Sequence, residues 1–324
     1  MRHGIQKTVS TEYDGSTLYH FLREGMGLAK KEISRAKFLE DGICVDGERQ
    51  KVTAQVRKGQ RVTVQTEKPD AVSGHLKASN APLEILYEDM DVVVVNKPSG
   101  IPVHPSGRRT FEADTLANRL VHYLREKGEE GVIRIIGRLD KDTSGVVLAA
   151  KNRTTAARLE QQRERGRLHK TYLALTDGIP EPEQGTVEKW LASDPADKTR
   201  MQVCPTGDMH GRYAKTCYKT VKKWEIKNTA LLELRLKTGR THQIRVHMQS
   251  IGCPLTGDSL YGKVVGSAGP ESRAKAQEGC GTRMNRTALH AVSLDFCQPF
   301  TGEPIHIEAP IPKDIARFMA DVLE

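Results

Sequence analysis

The sequence is short of rings, of long apolar runs and of paired cysteines. Aromatic residues make up 5% of the 324 residues, with 2 tryptophans. A site that holds a flat base by stacking must therefore rely on few rings. No apolar run approaches the roughly 20 residues that span a bilayer, which excludes a helical membrane protein. The six cysteines (Cys44, Cys204, Cys217, Cys253, Cys280 and Cys297) include no CxxC pair, and no Cys/His cluster has zinc spacing. Scattered thiols suit a reducing compartment. The first residues, Met1 to Lys7, lack the apolar stretch of a secretory signal. A cytoplasmic, metal-free protein is expected. Composition also excludes collagen-like, coiled-coil and wholly disordered chains.

What is present is positive charge. Lys and Arg total 50 against 41 acids, for a net charge of +9 and a pI near 9.2. A polyanionic partner or a merely solvated basic surface both fit that balance. The length fits one large domain, or a large one with a small companion.

Residues 1–14 read as a flexible arm. From 15 to 68 a compact pattern follows. Leu18, Phe21 and Leu22 recur at helical spacing up to Gly25. Lys30 to Leu39 reads as a second helix, with Ile33, Ala36, Phe38 and Leu39 on its apolar side. Ile43-Cys44-Val45-Asp46-Gly47 reads as a strand entering a tight turn, because Asp-Gly supplies positive φ. Gly59-Gln60-Arg61-Val62-Thr63-Val64 closes the unit with an alternating strand. Residues 1–68 hold 13 Lys/Arg against 9 Asp/Glu, a net of +4. Lys30, Lys31, Arg35 and Lys37 crowd the second helix, where a phosphate partner would relieve their repulsion. The helix pair, the Asp-Gly hairpin and the closing strand resemble the small RNA-binding domain named after ribosomal protein S-four. The resemblance implies RNA contact through the basic helix.

Residues 69–81 are small and polar and read as a linker. From 82 to 312, short apolar runs dominate and do not alternate regularly with helices. They include Asp91 to Asn96, Ile133 to Ile136, Val146 to Ala150, Thr171 to Leu175, Leu231 to Lys237, Ala291 to Phe296 and Ile305 to Ala309. This predicts an α+β domain on a large mixed, mostly antiparallel sheet. Gly262 to Gly281 reads as a mobile loop, and 313–324 as a C-terminal tail.

Four stretches carry chemistry. Gly137-Arg138-Leu139-Asp140-Lys141-Asp142-Thr143-Ser144-Gly145 lies between two apolar strands and so forms a loop. Its Asp140, flanked by Arg138 and Lys141, fits either a salt-bridged turn or an ionised nucleophile. Thr238-Gly239-Arg240-Thr241-His242-Gln243-Ile244-Arg245-Val246-His247 ends a strand and opens a helix that Thr241 could cap. Ile244, His247 and Met248 fall on its packing side; His242, Arg245 and Gln249 fall on another, suited to an anion. Asn96-Lys97-Pro98-Ser99-Gly100-Ile101-Pro102-Val103-His104-Pro105 is a stiff loop after a buried strand. His169-Lys170-Thr171-Tyr172 puts Tyr172 mid-strand, as core or as a stacking ring.

Together these segments resemble the RluA-type pseudouridine synthases over roughly residues 82–312. One departure is Gly137, where many members carry His. The resemblance implies a pseudouridine synthase fold with a small N-terminal α/β RNA-binding domain. It implies isomerisation of uridine in ribosomal or transfer RNA, ribosomal RNA ahead of transfer RNA, without a cofactor; a monomer is expected, since one chain can hold the whole site. It makes Asp140 the nucleophile or base, Tyr172 the ring over the base and Arg245 the cation beside Asp140, with Arg240 as the alternative cation. It gives RNA contacts to Arg138, Arg240, His242, Lys97 and His104. Lys151 to Lys170, with 7 cations and 2 acids, is expected to add a phosphate track. A nucleosidase would also break a bond at a sugar carbon, but usually needs two carboxylates. A non-catalytic ribosomal or assembly RNA-binding protein would explain the charge but not the motifs.

Overall fold

The computed structural model describes residues 5–65, 76–105, 114–129, 133–262 and 284–323. The chain begins with β1 (Ile5–Thr8), α1 (Leu18–His20) and a wider helical turn over Phe21–Gly25. Then come α2 (Lys30–Ala36), β2 (Ile43–Val45), β3 (Glu48–Arg49) and β4 (Arg61–Val64). The strands form an antiparallel sheet in the order β1-β4-β2-β3. Thr17 caps α1 by accepting a hydrogen bond from the His20 amide at 3.2 Å. Asp46 and Gly47 take positive φ at the hairpin, and the Asp46 carboxylate accepts from the Arg61 amide at 2.7 Å. Leu18, Phe21, Leu22, Ile33, Val62 and Val64 close a small core of their own.

Two expectations for this region fail. The arm is a strand from Ile5 on: Ile5–Thr8 pairs antiparallel with Arg61–Val64, Ile5 opposite Val64 and Thr8 opposite Arg61, a partner far along the chain and invisible locally. Phe38 is 86% exposed, because α2 ends at Ala36 and leaves Phe38 off its packed side.

The larger region opens with β5 (Glu84–Glu88), β6 (Val92–Lys97), α3 (Leu116–Glu126), β7 (Arg134–Ile136), β8 (Ser144–Ala150) and α4 (Arg153–Glu164). It continues with β9 (His169–Asp177), β10 (Gln184–Ser193), β11 (Met201–Cys204), β12 (Arg212–Trp224) and β13 (Thr229–Leu236). It closes with α5 (Gln243–Ser250), β14 (Leu289–Cys297), β15 (Pro304–Glu308) and α6 (Lys313–Phe318). Its 11-stranded sheet runs β11-β10-β12-β13-β9-β14-β8-β6-β5, with β15 on β14 and β7 on β8. Every pairing is antiparallel except β14 with β8. Val92 to Val95 and Val146 to Ala150 are buried on both faces, which explains runs without polar alternation. The expected tail is α6, whose Ile315 packs with Leu175 and Ala288. Most of the linker and of the Gly-rich stretch, residues 69–75 and 263–281, lies outside the described residues. Lys77 and Ser79, at the linker's end, hydrogen-bond Asn118 of α3. No helix among the described residues is long and apolar enough to cross a membrane.

The two regions are joined at α4. Phe300, in the turn between β14 and β15, is buried in the core of the small region. Arg158 of α4 lies over the Phe300 ring at 4.2 Å and donates to the carbonyls of Met26, Gly27 and Pro299 at 2.6–2.8 Å. Thr154 donates to Glu32 of α2 at 2.8 Å. Lys151 is buried against Glu88 and Glu129 at 2.6 and 3.2 Å. The expected phosphate track therefore loses Lys151 and Arg158, because both charges are already held by this chain.

Candidate active site

The β7–β8 loop projects Arg138, Leu139 and Asp140 into a cleft of about 630 Å³. The sheet supplies its floor through Lys170, Tyr172 and Leu236, and α4 and α5 flank it. The strand that follows the loop is held close to β14. Gly145 pairs with Ala291 of β14 in the one parallel contact, with φ +113. A Cβ there would lie 2.1 Å from the Ala291 carbonyl oxygen, so only glycine lets the strands meet.

A second loop locks the first. Lys97 is fully buried, and its Nζ donates to the carbonyls of Pro98, Ile101 and Lys141 at 2.8, 2.8 and 3.0 Å. The Gly100 amide also donates to the Lys141 carbonyl, and the Ser99 hydroxyl to that of Asp142. Burial pulls the Lys97 pKa down to about 7, against the nearby carboxylates of Asp142 and Asp140. Lys97 was expected to touch RNA. It cannot, since no part of it reaches solvent; it ties the two loops together instead. His104, from the same stretch, is exposed and lines the cleft. Arg138 is exposed there too.

Asp140 is half-buried, and the nearest Arg245 nitrogen stands 4.0 Å from its carboxylate. Arg245 is buried and gripped from behind: Nε and Nη2 donate to both Asp258 oxygens at 2.7 and 2.8 Å. Burial works against its charge, but the Asp258 pair outweighs it and the pKa is raised. Arg245 was expected on a presenting side of α5 with Gln249. The structure separates them, with Arg245 inside the cleft wall and Gln249 exposed. Arg240 is exposed on the cleft and donates from Nε to the Tyr213 carbonyl.

The N-cap of α5 is His242, not Thr241, in the left-handed conformation at φ +53. Gln243 builds that turn: its side-chain oxygen accepts from the Arg240 amide and the Thr238 hydroxyl, while Nε2 donates to Lys215 and Thr216. The Tyr261 hydroxyl accepts from the Met201 amide at 2.7 Å and meets His242 Nδ1 at 2.9 Å. Burial lowers the His242 pKa despite the Asp140 charge. A neutral His242 ring has one nitrogen to donate and one to accept, and Nδ1 shares its proton or lone pair with the Tyr261 hydroxyl. Tyr172 is buried on the floor. Burial and then the Asp140 charge raise its pKa, so the phenol keeps its proton.

Asp258 and Tyr261 were missed at the sequence level. Their signal was Thr256-Gly257-Asp258, a turn whose Asp carboxylate accepts from the Leu260 and Tyr261 amides at 2.9 Å. Nothing in that pattern names Arg245 as its partner. The arrangement offers the Asp140 carboxylate with an arginine alongside, a neutral imidazole, a protonated phenol ring and an open, largely basic rim. It can hold a base beside a sugar and stabilise charge there.

A family model described as RNA pseudouridylate synthase matches residues 91–250. An uncharacterised RNA pseudouridine synthase of Bacillus subtilis is 35% identical, covering 96% of this chain and 95% of its own length. The ribosomal large subunit pseudouridine synthase D of Haemophilus ducreyi is 32% identical over 97% of this chain and 94% of its own. Its namesake in Xanthomonas campestris is 36% identical over 90% and 86%. Among solved structures, human RNA pseudouridylate synthase domain containing 4 superposes with a TM-score of 0.57, at 26% identity over 73% of this chain and 91% of that one. The mostly antiparallel sheet with its strand-borne cleft is thus the pseudouridine synthase fold, and the chain belongs to the RluA-type family of enzymes that isomerise uridine to pseudouridine in RNA.

Proposed function

We propose that Asp140 is the catalytic carboxylate, with Tyr172 stacked on the target base and Arg245 holding the charge of Asp140 in place. Their convergence in one cleft, with Arg245 fixed by Asp258 at 4.0 Å from Asp140, carries this reading. The uridine leaves its stack to enter. The bond from C1′ to N1 breaks, the uracil turns, and C1′ bonds to C5. The C5 proton is lost and N1 gains one, so atoms balance without a cofactor. Asp140 acts as nucleophile or base in this sequence. Arg138, Arg240, His242 and His104, all on the cleft, contact the RNA. The small N-terminal region acts as an S-four-like RNA-binding domain through Lys30, Lys31, Arg35 and Lys37. The substrate is ribosomal RNA, in line with the names of two relatives, and the working unit is a monomer.

The test uses ribosomal RNA transcripts carrying tritium at C5 of uracil. The native protein should release tritium to water, and free uracil should not form. Asp140→Asn should release none over background while binding RNA within about threefold of the native affinity. Tritium release by that variant at the native rate removes Asp140 from the mechanism. Release from transfer RNA alone overturns the ribosomal substrate.

A further inference from the structure

Lys170 precedes Tyr172 by two residues on β9, so both side chains leave the same face of the sheet, and both line the cleft. At about 3.3 Å per residue, Lys170 lies roughly 7 Å from Tyr172 along the strand. That offset runs toward the turn after α4, where Glu164, Gly166 and Leu168 continue the cleft. Lys170 is half-buried, and no ion pair holds its ammonium among the described residues. This sets it apart from Lys97, Lys151 and Arg245, whose charges all have partners in the chain.

The groups around it do not neutralise it. On α4, Glu160 is committed to Arg163 at 2.6 Å, which leaves Glu164. On its own strand stand His169 and Tyr172. On β14, Leu294 is its register partner, and Asp295 beside it is taken by His306 at 2.6 Å. After β13 come Lys237 and Arg240, both basic. The β7–β8 loop adds Arg138 and Asp140; α5 adds His242 and Arg245. Burial, and then the charge of Arg163, push the Lys170 pKa down to about 8. A partly desolvated cation without a counter-ion is costly, and a bound anion removes that cost. Uracil is neutral. The anion that RNA brings is phosphate.

We propose that Lys170 binds the backbone phosphate adjoining the flipped uridine, one nucleotide along the strand from the base that Tyr172 receives. The inference rests on the placement of the target base over Tyr172. Phosphate binding favours the ammonium, so RNA binding draws in a proton above pH 8. Affinity is complete below that pH and falls as pH rises through it.

The experiment measures binding of a ten-residue oligouridylate to the full chain by fluorescence anisotropy, over pH 6.5–8.8, below the range where uracil N3–H ionises, and over a series of salt concentrations. Single-stranded oligouridylate needs no unstacking from a duplex and does not depend on the native target. Native affinity should fall about fivefold between pH 7.5 and 8.8. Lys170→Arg should bind without that fall, since guanidinium keeps its charge. Lys170→Gln should bind several-fold more weakly at pH 7, with a log–log salt slope shallower by about 0.7. Native-like binding by Lys170→Gln at pH 7, or the same pH fall in Lys170→Arg as in the native protein, overturns the proposal. Asp140→Asn should keep the native pH profile. A protein that shows this profile but forms no pseudouridine would sink the catalytic reading and leave the phosphate site standing.

Discussion

Lys30, Lys31 and Arg35 stand exposed on α2 and Lys37 at its end, whereas Lys97, Lys151 and Arg245 of the larger region are buried against partners within the chain. In the sequence both groups are simply positive charge. The difference is physical. An exposed ammonium keeps its water and is free to exchange counter-ions for phosphates. A buried one must be paired or hydrogen-bonded, and removing its partner strands a charge. Charge counts therefore say how strongly a chain attracts RNA, while burial decides which cations can touch it.

Three substitutions probe that contrast. The largest effect is expected at Asp258→Asn, which takes the counter-charge from buried Arg245. Unfolding in denaturant should show a loss of about 3–5 kcal/mol. Tritium release should fall about a hundredfold at saturating RNA, because Arg245 is no longer aimed at Asp140. Native activity in that variant would mean that Arg245 needs no anchor. Next comes Lys97→Met, which keeps the volume and deletes three donors. Stability should drop by about 2–4 kcal/mol and turnover by about tenfold, with oligouridylate affinity unchanged; weakened binding at native turnover would return Lys97 to the RNA surface. The smallest change in stability belongs to the fourfold Gln replacement of Lys30, Lys31, Arg35 and Lys37, within about 0.5 kcal/mol per site. There the salt dependence of RNA binding should flatten while turnover at saturation holds. An unaltered slope would show that α2 does not meet RNA.

The same contrast explains what was legible. The Arg138 to Gly145 loop could be read because it is local, lying between two apolar strands; the Gly239 to His247 turn was legible only as a strand end followed by a helix start, since its cap fell on His242 and Arg245 went to the packed side. The mostly antiparallel sheet was legible from apolar runs such as Val92 to Val95. The destination of Lys97 was not, because its clamp reaches a carbonyl 44 positions onward. Asp258 was lost for the same reason, since its pairing with Arg245 crosses a helix and a turn. The strands β10 to β12 escaped notice because they mix polar and apolar residues at the sheet's outer end. Ile5–Thr8 escaped because IQKT carries a single apolar side chain.

Phe300 gives the joint between the regions a mechanical meaning. Its ring belongs by sequence to the catalytic sheet and by packing to the small core, so swinging the regions apart would bare it to water, costing about 1.5–3 kcal/mol. The three carbonyls held by Arg158 would be released in the same motion. The two halves therefore travel as one caliper. An RNA held by both regions, as proposed above, would be gauged by the fixed span between them.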